Sequence, residues 1–128
     1  MKRRVVVTGV GALTPVGNDM ATTWRSLVGG KSGTAPITKF DAEKFPVRFA
    51  AELKGFDPMQ FMDRKEAKRA DPYTQYAVAA AVQAMSDAGF TGGNGYDPER
   101  MGVILGSGIG GLKSFEEQHD VYRERGPG

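Results

Sequence analysis

Gly106, Gly108, Gly110 and Gly111 fall within six residues, directly after the short apolar run Met101–Leu105. Strand, glycine turn, helix is how α/β proteins build ligand sites at strand ends. Without side chains, such a turn lets a ligand or a second backbone segment come close. Ile109 is the odd member, one apolar side chain presented from the turn. Gly106-x-Gly108-x-x-Gly111 also fits the dinucleotide fingerprint. The acidic residue due about 20 positions later should end a second strand. Here that region still reads as helix. The first turn, Gly9-x-Gly11-x-x-Thr14, runs into Pro15 and not directly into a helix. A lone fingerprint is weak, and two tight turns packing against each other account for the same glycines.

Arg64, Lys65, Lys68 and Arg69 form a basic cluster. If the segment is helical, Lys65, Lys68 and Arg69 stand at i, i+3 and i+4 and share a face. Such a face suits a phosphate or an acidic protein. On spacing alone the plainer reading is a solvated charged turn, with Asp63 and Glu66 as internal partners. His119 falls on the apolar stripe of the last helical pattern, where a satisfied, half-buried histidine is expected. It is the one histidine, and there is no cysteine. That leaves no disulfide, thiol nucleophile, His/Cys metal set or catalytic triad within these residues. No cofactor, metal site or catalytic residue is expected from this stretch.

The elements that must position these residues follow from pattern. Arg4 to Val7 or Thr8 reads as a strand, and three successive valines suggest burial on both faces, as in a parallel sheet. After the first glycine turn, Asn18 or Asp19 can cap a short helix over Ala21–Val28, ended by Gly29-Gly30. Lys31 to Pro46 looks irregular. Val47–Leu53 alternates enough for an edge strand. Asp57-Pro58 and Asp71-Pro72 are both cap-plus-proline helix starts. The second opens a helix from Pro72 to Ala88, alanine-rich at 77, 79, 80, 81 and 84. Alanine on most faces implies a helix squeezed between neighbours. Trp24 and Tyr76 read as core. A loop over Thr91–Gly95 and a turn at Asp97-Pro98 lead into a second strand, Met101–Leu105, and a helix runs from Leu112 to about Arg125.

The order is that of part of an α/β layered fold. The 128 residues suffice for one domain, with 40% hydrophobic and 25% charged. Two core strands cannot cover the long helix on both sides, so the chain reads as incomplete, truncated or dependent on a partner. A net charge of +2 is too weak to argue nucleic-acid binding. No stretch approaches the roughly 18 apolar residues of a membrane span. The apolar run after Lys2-Arg3-Arg4 is broken by Thr8 and Gly9, so a signal peptide is not expected. The expectation is a cytoplasmic protein.

Particular residues say more. Arg3-Arg4-Val5-Val6-Val7-Thr8-Gly9-x-Gly11, with Thr14-Pro15-Val16-Gly17-Asn18, resembles the opening of the beta-ketoacyl-acyl-carrier-protein synthases. Lys31-Ser32-Gly33, Phe40-Asp41, Arg64-Lys65-Glu66, Asp71 with Gln75-Tyr76, and Gly106-Ser107-Gly108-Ile109-Gly110-Gly111 follow in that family's order. The last form is most similar to the elongating synthase II type. The resemblance implies a thiolase-like fold, layered α-β-α-β-α, in a homodimer. Residues 1–128 would be the N-terminal part of its first half. It also implies a decarboxylating Claisen condensation of an acyl thioester with malonyl-acyl carrier protein, through a cysteine and two histidines that lie beyond Gly128 in the family's pattern. His119 matches neither. Ile109 matches the isoleucine lining the acyl pocket. Lys65, Lys68 and Arg69 match the basic patch that meets the acidic carrier protein, which reverses the plainer reading of that cluster. Other readings remain: a polyketide ketosynthase, its non-catalytic partner subunit, or a stand-alone binding or assembly fragment.

Overall fold

The computed structural model describes residues 2–90 and 97–127. The loop expected over Thr91–Gly95 lies outside the described residues. Four α-helices and one small sheet make up the regular structure described: α1 (Met20–Val28), β1 (Ala35–Pro36), β2 (Phe49–Ala50), α2 (Arg64–Arg69), α3 (Pro72–Asp87) and α4 (Leu112–Arg125). Short 3-10 turns cover Pro58–Gln60 and Pro98–Arg100. Among the described residues, no helix is long and apolar enough to cross a membrane.

Local chemistry explains the helix starts. Asp19 caps α1, accepting from the Thr22 amide and the Thr22 hydroxyl, both at 2.7 Å. This satisfies one of the amide donors that a helix start leaves open. At the other end the Gly29 amide donates to the Arg25 carbonyl at 3.0 Å, and Gly30 takes φ 65°. Asp57 caps its 3-10 turn through the Met59 amide at 2.9 Å.

The buried side of α1 is polar. Thr23 and Ser26 are its buried residues. Their hydroxyls donate to the Gly17 carbonyl at 3.2 Å and the Val16 carbonyl at 2.9 Å. Thr14 and Gly17 close that loop with paired backbone bonds of 2.8 and 3.2 Å. Trp24 therefore falls on the other side of α1 and is 62% exposed, which corrects its reading as core. Tyr76 is half-buried, its ring edge-on to Phe56 at 5.1 Å.

The expected edge strand over Val47–Leu53 shrinks to Phe49–Ala50. Its partner is Ala35–Pro36, from the stretch read as irregular, with Ala35 opposite Ala50. The Glu52 carboxylate takes over where the ladder stops. It accepts from the Thr38 hydroxyl at 2.7 Å, from the Thr38 amide at 3.1 Å and from the Lys39 amide at 3.2 Å. The Thr38 hydroxyl, followed by these amides, holds its pKa below the ordinary 4.5. A carboxylate lowered in the fold stabilises fully above the unfolded value and loses its contribution as pH falls through the lower folded value. Glu52→Gln should therefore flatten the stability profile below pH 4.5 and leave it unchanged in shape above. Denaturant midpoints of both proteins across that range check this, and parallel profiles would contradict it.

The two expected core strands are absent. Residues 4–8 and 101–105 carry no strand and no backbone ladder among the described residues. Val5 is 92% and Ile104 97% exposed. Strands exist through a neighbour's amides and carbonyls, and none reaches these segments. Alanine packing holds for one side of α3 only. Ala79 is its fully buried residue, while the other side borders an open apolar groove of about 610 Å³ between Val78, Val82 and Met85 on the helix and Val103 and Leu105.

Candidate functional site

The basic cluster is helical. Asp63 accepts from the amides of Lys65 at 2.7 Å and Glu66 at 2.8 Å, while Glu66 reaches back toward the Asp63 amide at 3.4 Å. This capping box starts α2. It also occupies the two acids expected to neutralise the cluster. Lys65, Lys68 and Arg69 are exposed and stand at i, i+3 and i+4. None makes an ion pair among the described residues. The face is free for an outside anion.

The far end of α2 is fastened to α3. Gln75 donates through its amide nitrogen to the carbonyls of Ala67 at 2.8 Å and Ala70 at 3.0 Å. These are orphan acceptors at the end of a helix. Two residues on, Asp71 stands at the N-cap of α3, yet its side chain makes no cap bond. Its Oδ1 accepts instead from the Ser114 hydroxyl, in the first turn of α4. The Tyr73 ring lies where a β-carbon on Gly110 would touch it, at 3.6 Å. Gly110 has φ 74°, and its amide donates to the Ser107 hydroxyl at 3.1 Å. The glycine turn thus rests on the start of α3, and Ile109 stands at its tip, 77% exposed.

The first glycine turn rests on the same helix, further along. Ideal β-carbons on Gly9 and Gly11 would collide with the backbone of α3, at 2.5 Å from the Ala88 nitrogen and 2.8 Å from the Ala84 nitrogen. The Val10 amide donates to Asp87 at 2.9 Å and the Ala12 amide to Gln83 at 3.1 Å. Gln83 also donates to the Asn18 carbonyl at 2.7 Å. Both glycine turns therefore use α3 as their platform.

The structure brings the basic helix and the Ile109 turn to one junction, at the N-terminus of α3. It does not bring in His119. That residue is exposed rather than half-buried, with Nδ1 3.6 Å from Asp120 Oδ1. No element covers α4 among the described residues, so its apolar stripe, including Phe115 at 70% exposure, faces outward. Sequence reasoning missed Gln75, Gln83 and Ser114 as fasteners. The available signal was two glutamines inside an alanine-rich helix, where no solvent-facing pattern calls for them.

Residues 2–127 match the family described as "Beta-ketoacyl synthase, N-terminal domain". The chain belongs to the beta-ketoacyl synthase family. It is 48% identical over 126 residues to a 3-oxoacyl-[acyl-carrier-protein] synthase 2 of Synechocystis sp.. It is 47% identical to that of Vibrio cholerae and 46% to that of Staphylococcus aureus. Each comparison covers 98% of this chain but 30% of the relative, so the chain spans about a third of its relatives' length. Among solved structures, "The ishigamide ketosynthase/chain length factor" superposes with a TM-score of 0.78 at 29% identity, over 98% of this chain and 31% of that one. A type II PKS acyl-carrier protein in complex with its ketosynthase gives 0.71 at 26%, over 98% and 33%. The thiolase-like fold expected of a beta-ketoacyl synthase is therefore the right class, seen here as helices and one small sheet of its N-terminal portion.

Proposed function

We propose that the protein is the N-terminal segment, residues 1–128, of an enzyme that elongates fatty acids. The reaction is the decarboxylating condensation of an acyl thioester with malonyl-acyl carrier protein. The observation that carries this reading is the 46–48% identity to 3-oxoacyl-[acyl-carrier-protein] synthase 2 relatives along 98% of the chain. The residues of this segment bind and orient. Lys65, Lys68 and Arg69 offer an unpaired cationic face to the acidic carrier protein. Ile109 offers an apolar contact to the acyl chain. The condensing nucleophile is a cysteine in the family's pattern, and this sequence contains none. The full-length enzyme works as a cytoplasmic homodimer with no cofactor.

A polyketide ketosynthase is the second reading, supported by the two superposed ketosynthase structures. Their 29% and 26% identities fall well below the 48% of the synthase 2 relative, which favours fatty-acid elongation.

The test is carrier-protein binding by the full-length enzyme. Replacing Lys65, Lys68 and Arg69 together by Ala should weaken it roughly tenfold or more at low salt. The deficit should shrink as salt rises, because screening removes the same attraction from the unaltered enzyme. Equal affinities at low salt would sink the docking role.

A further inference from the structure

Asp71 occupies an N-cap position with φ −61° and ψ 154°, immediately before Pro72. The ordinary use of such a residue is to accept an amide of its own helix. Asp71 forgoes that bond and reaches 43 residues along the chain to the Ser114 hydroxyl. A carboxylate accepting from a hydroxyl is among the stronger hydrogen bonds. The same carboxyl group closes the space beside Gly111. A β-carbon there would lie 2.5 Å from Asp71 Cγ and 2.8 Å from its Oδ1. Gly111 has φ −83°, so backbone conformation does not demand glycine. A side chain there would instead make the Asp71 carboxyl move away from its present place. Upstream, Gln75 binds the last carbonyls of α2 to the same turn of α3.

We propose that Asp71 is a positioning residue that clamps the Ile109 turn to the end of the basic helix through Ser114 and Gly111. This rests on the docking role of α2 and the acyl-contact role of Ile109 given above. The chain of contacts is short: basic face, Gln75, Asp71, then Ser114 and Gly111, with Ile109 two residues before Gly111. A carrier protein seated on α2 and the residue that meets its acyl chain are thereby held in one frame. Releasing the clamp lets the turn shift without altering the docking face. Displacements of about an ångström are enough to degrade a reaction geometry.

The experiment uses the full-length enzyme. Ser114→Ala should leave carrier-protein affinity within about twofold, since Ser114 is exposed on α4 and outside the basic face. It should cut the preference between long and short acyl thioesters on the order of fivefold, and Ser114→Thr should restore it. Wild-type discrimination in Ser114→Ala would overturn the proposal. A second measurement needs no acyl substrate. Gly111→Ala should lower the denaturant midpoint more with Asp71 present than in an Asp71→Ala background, where the colliding carboxyl is gone. Equal losses in both backgrounds would overturn the clamp. The two readings fail separately. If Ile109→Phe does not distinguish long from short chains, the acyl-contact role is wrong, and the Gly111–Asp71 cycle still decides the clamp.

Discussion

Gly11→Ala is expected to cost about 3 kcal/mol of stability. Overpacking costs roughly 1–3 kcal/mol where neighbours cannot yield. Here they cannot: the new methyl would collide with the Ala80 carbonyl and lie 2.8 Å from the Ala84 nitrogen and 2.9 Å from the Gln83 β-carbon. Two of these atoms belong to a helix backbone, which has no rotamer to change. The loop must lift, which breaks the bond from the Ala12 amide to Gln83 at 3.1 Å. A broken partially buried hydrogen bond adds about 1 kcal/mol. Urea unfolding should show a lower midpoint at unchanged slope. An unmoved midpoint would mean that the loop is not seated on α3.

The second large effect concerns substrate choice. On the proposed function, Ile109→Phe in the full-length enzyme should reduce kcat/KM for long acyl thioesters on the order of a hundredfold, and for short ones by less than about threefold. A hydrophobic pocket discriminates by the volume left for the last methylenes, and a phenyl ring at the tip of the turn takes that volume. The turn itself should tolerate the change, because Ile109 is 77% exposed and its neighbours Gly108 and Gly110 carry no side chains. Rates across an acyl series check this. Equal losses at every length would remove Ile109 from the pocket.

What the sequence revealed divides along a physical line. Signals within a few residues were legible. Asp19 capping α1, Asp57-Pro58, Asp71-Pro72 opening α3 and the shared face of Lys65, Lys68 and Arg69 are all set by local geometry, and the structure has them in place. The valines at 5–7 were legible as strand formers but not as partnered strands, because pairing needs an edge that local pattern cannot supply. Trp24 was misread because size suggested burial, whereas the loop over Val16 and Gly17 draws Thr23 and Ser26 inward. Asp71 was legible as a cap, its commonest use. Its bond to Ser114 crosses 43 residues, beyond any periodicity. The family resemblance gave Ile109 and the basic face as expectations, but gave no sign of the junction that joins them.

The bonds that seat the first glycine turn on α3 join residues 65 to 77 positions apart. That separation is also an interval of time. A ribosome adding roughly 5–20 residues per second exposes Val5–Val7 and the turn about 4–15 seconds before Gln83 and Asp87 exist to receive them. Throughout that interval the turn that follows the three valines has no α3 to rest on. The first glycine turn is thus made well before the helix that seats it. Its sequence answers with Lys2-Arg3-Arg4 directly ahead of the valines, a charged flank of the kind that holds apolar strands apart while they wait.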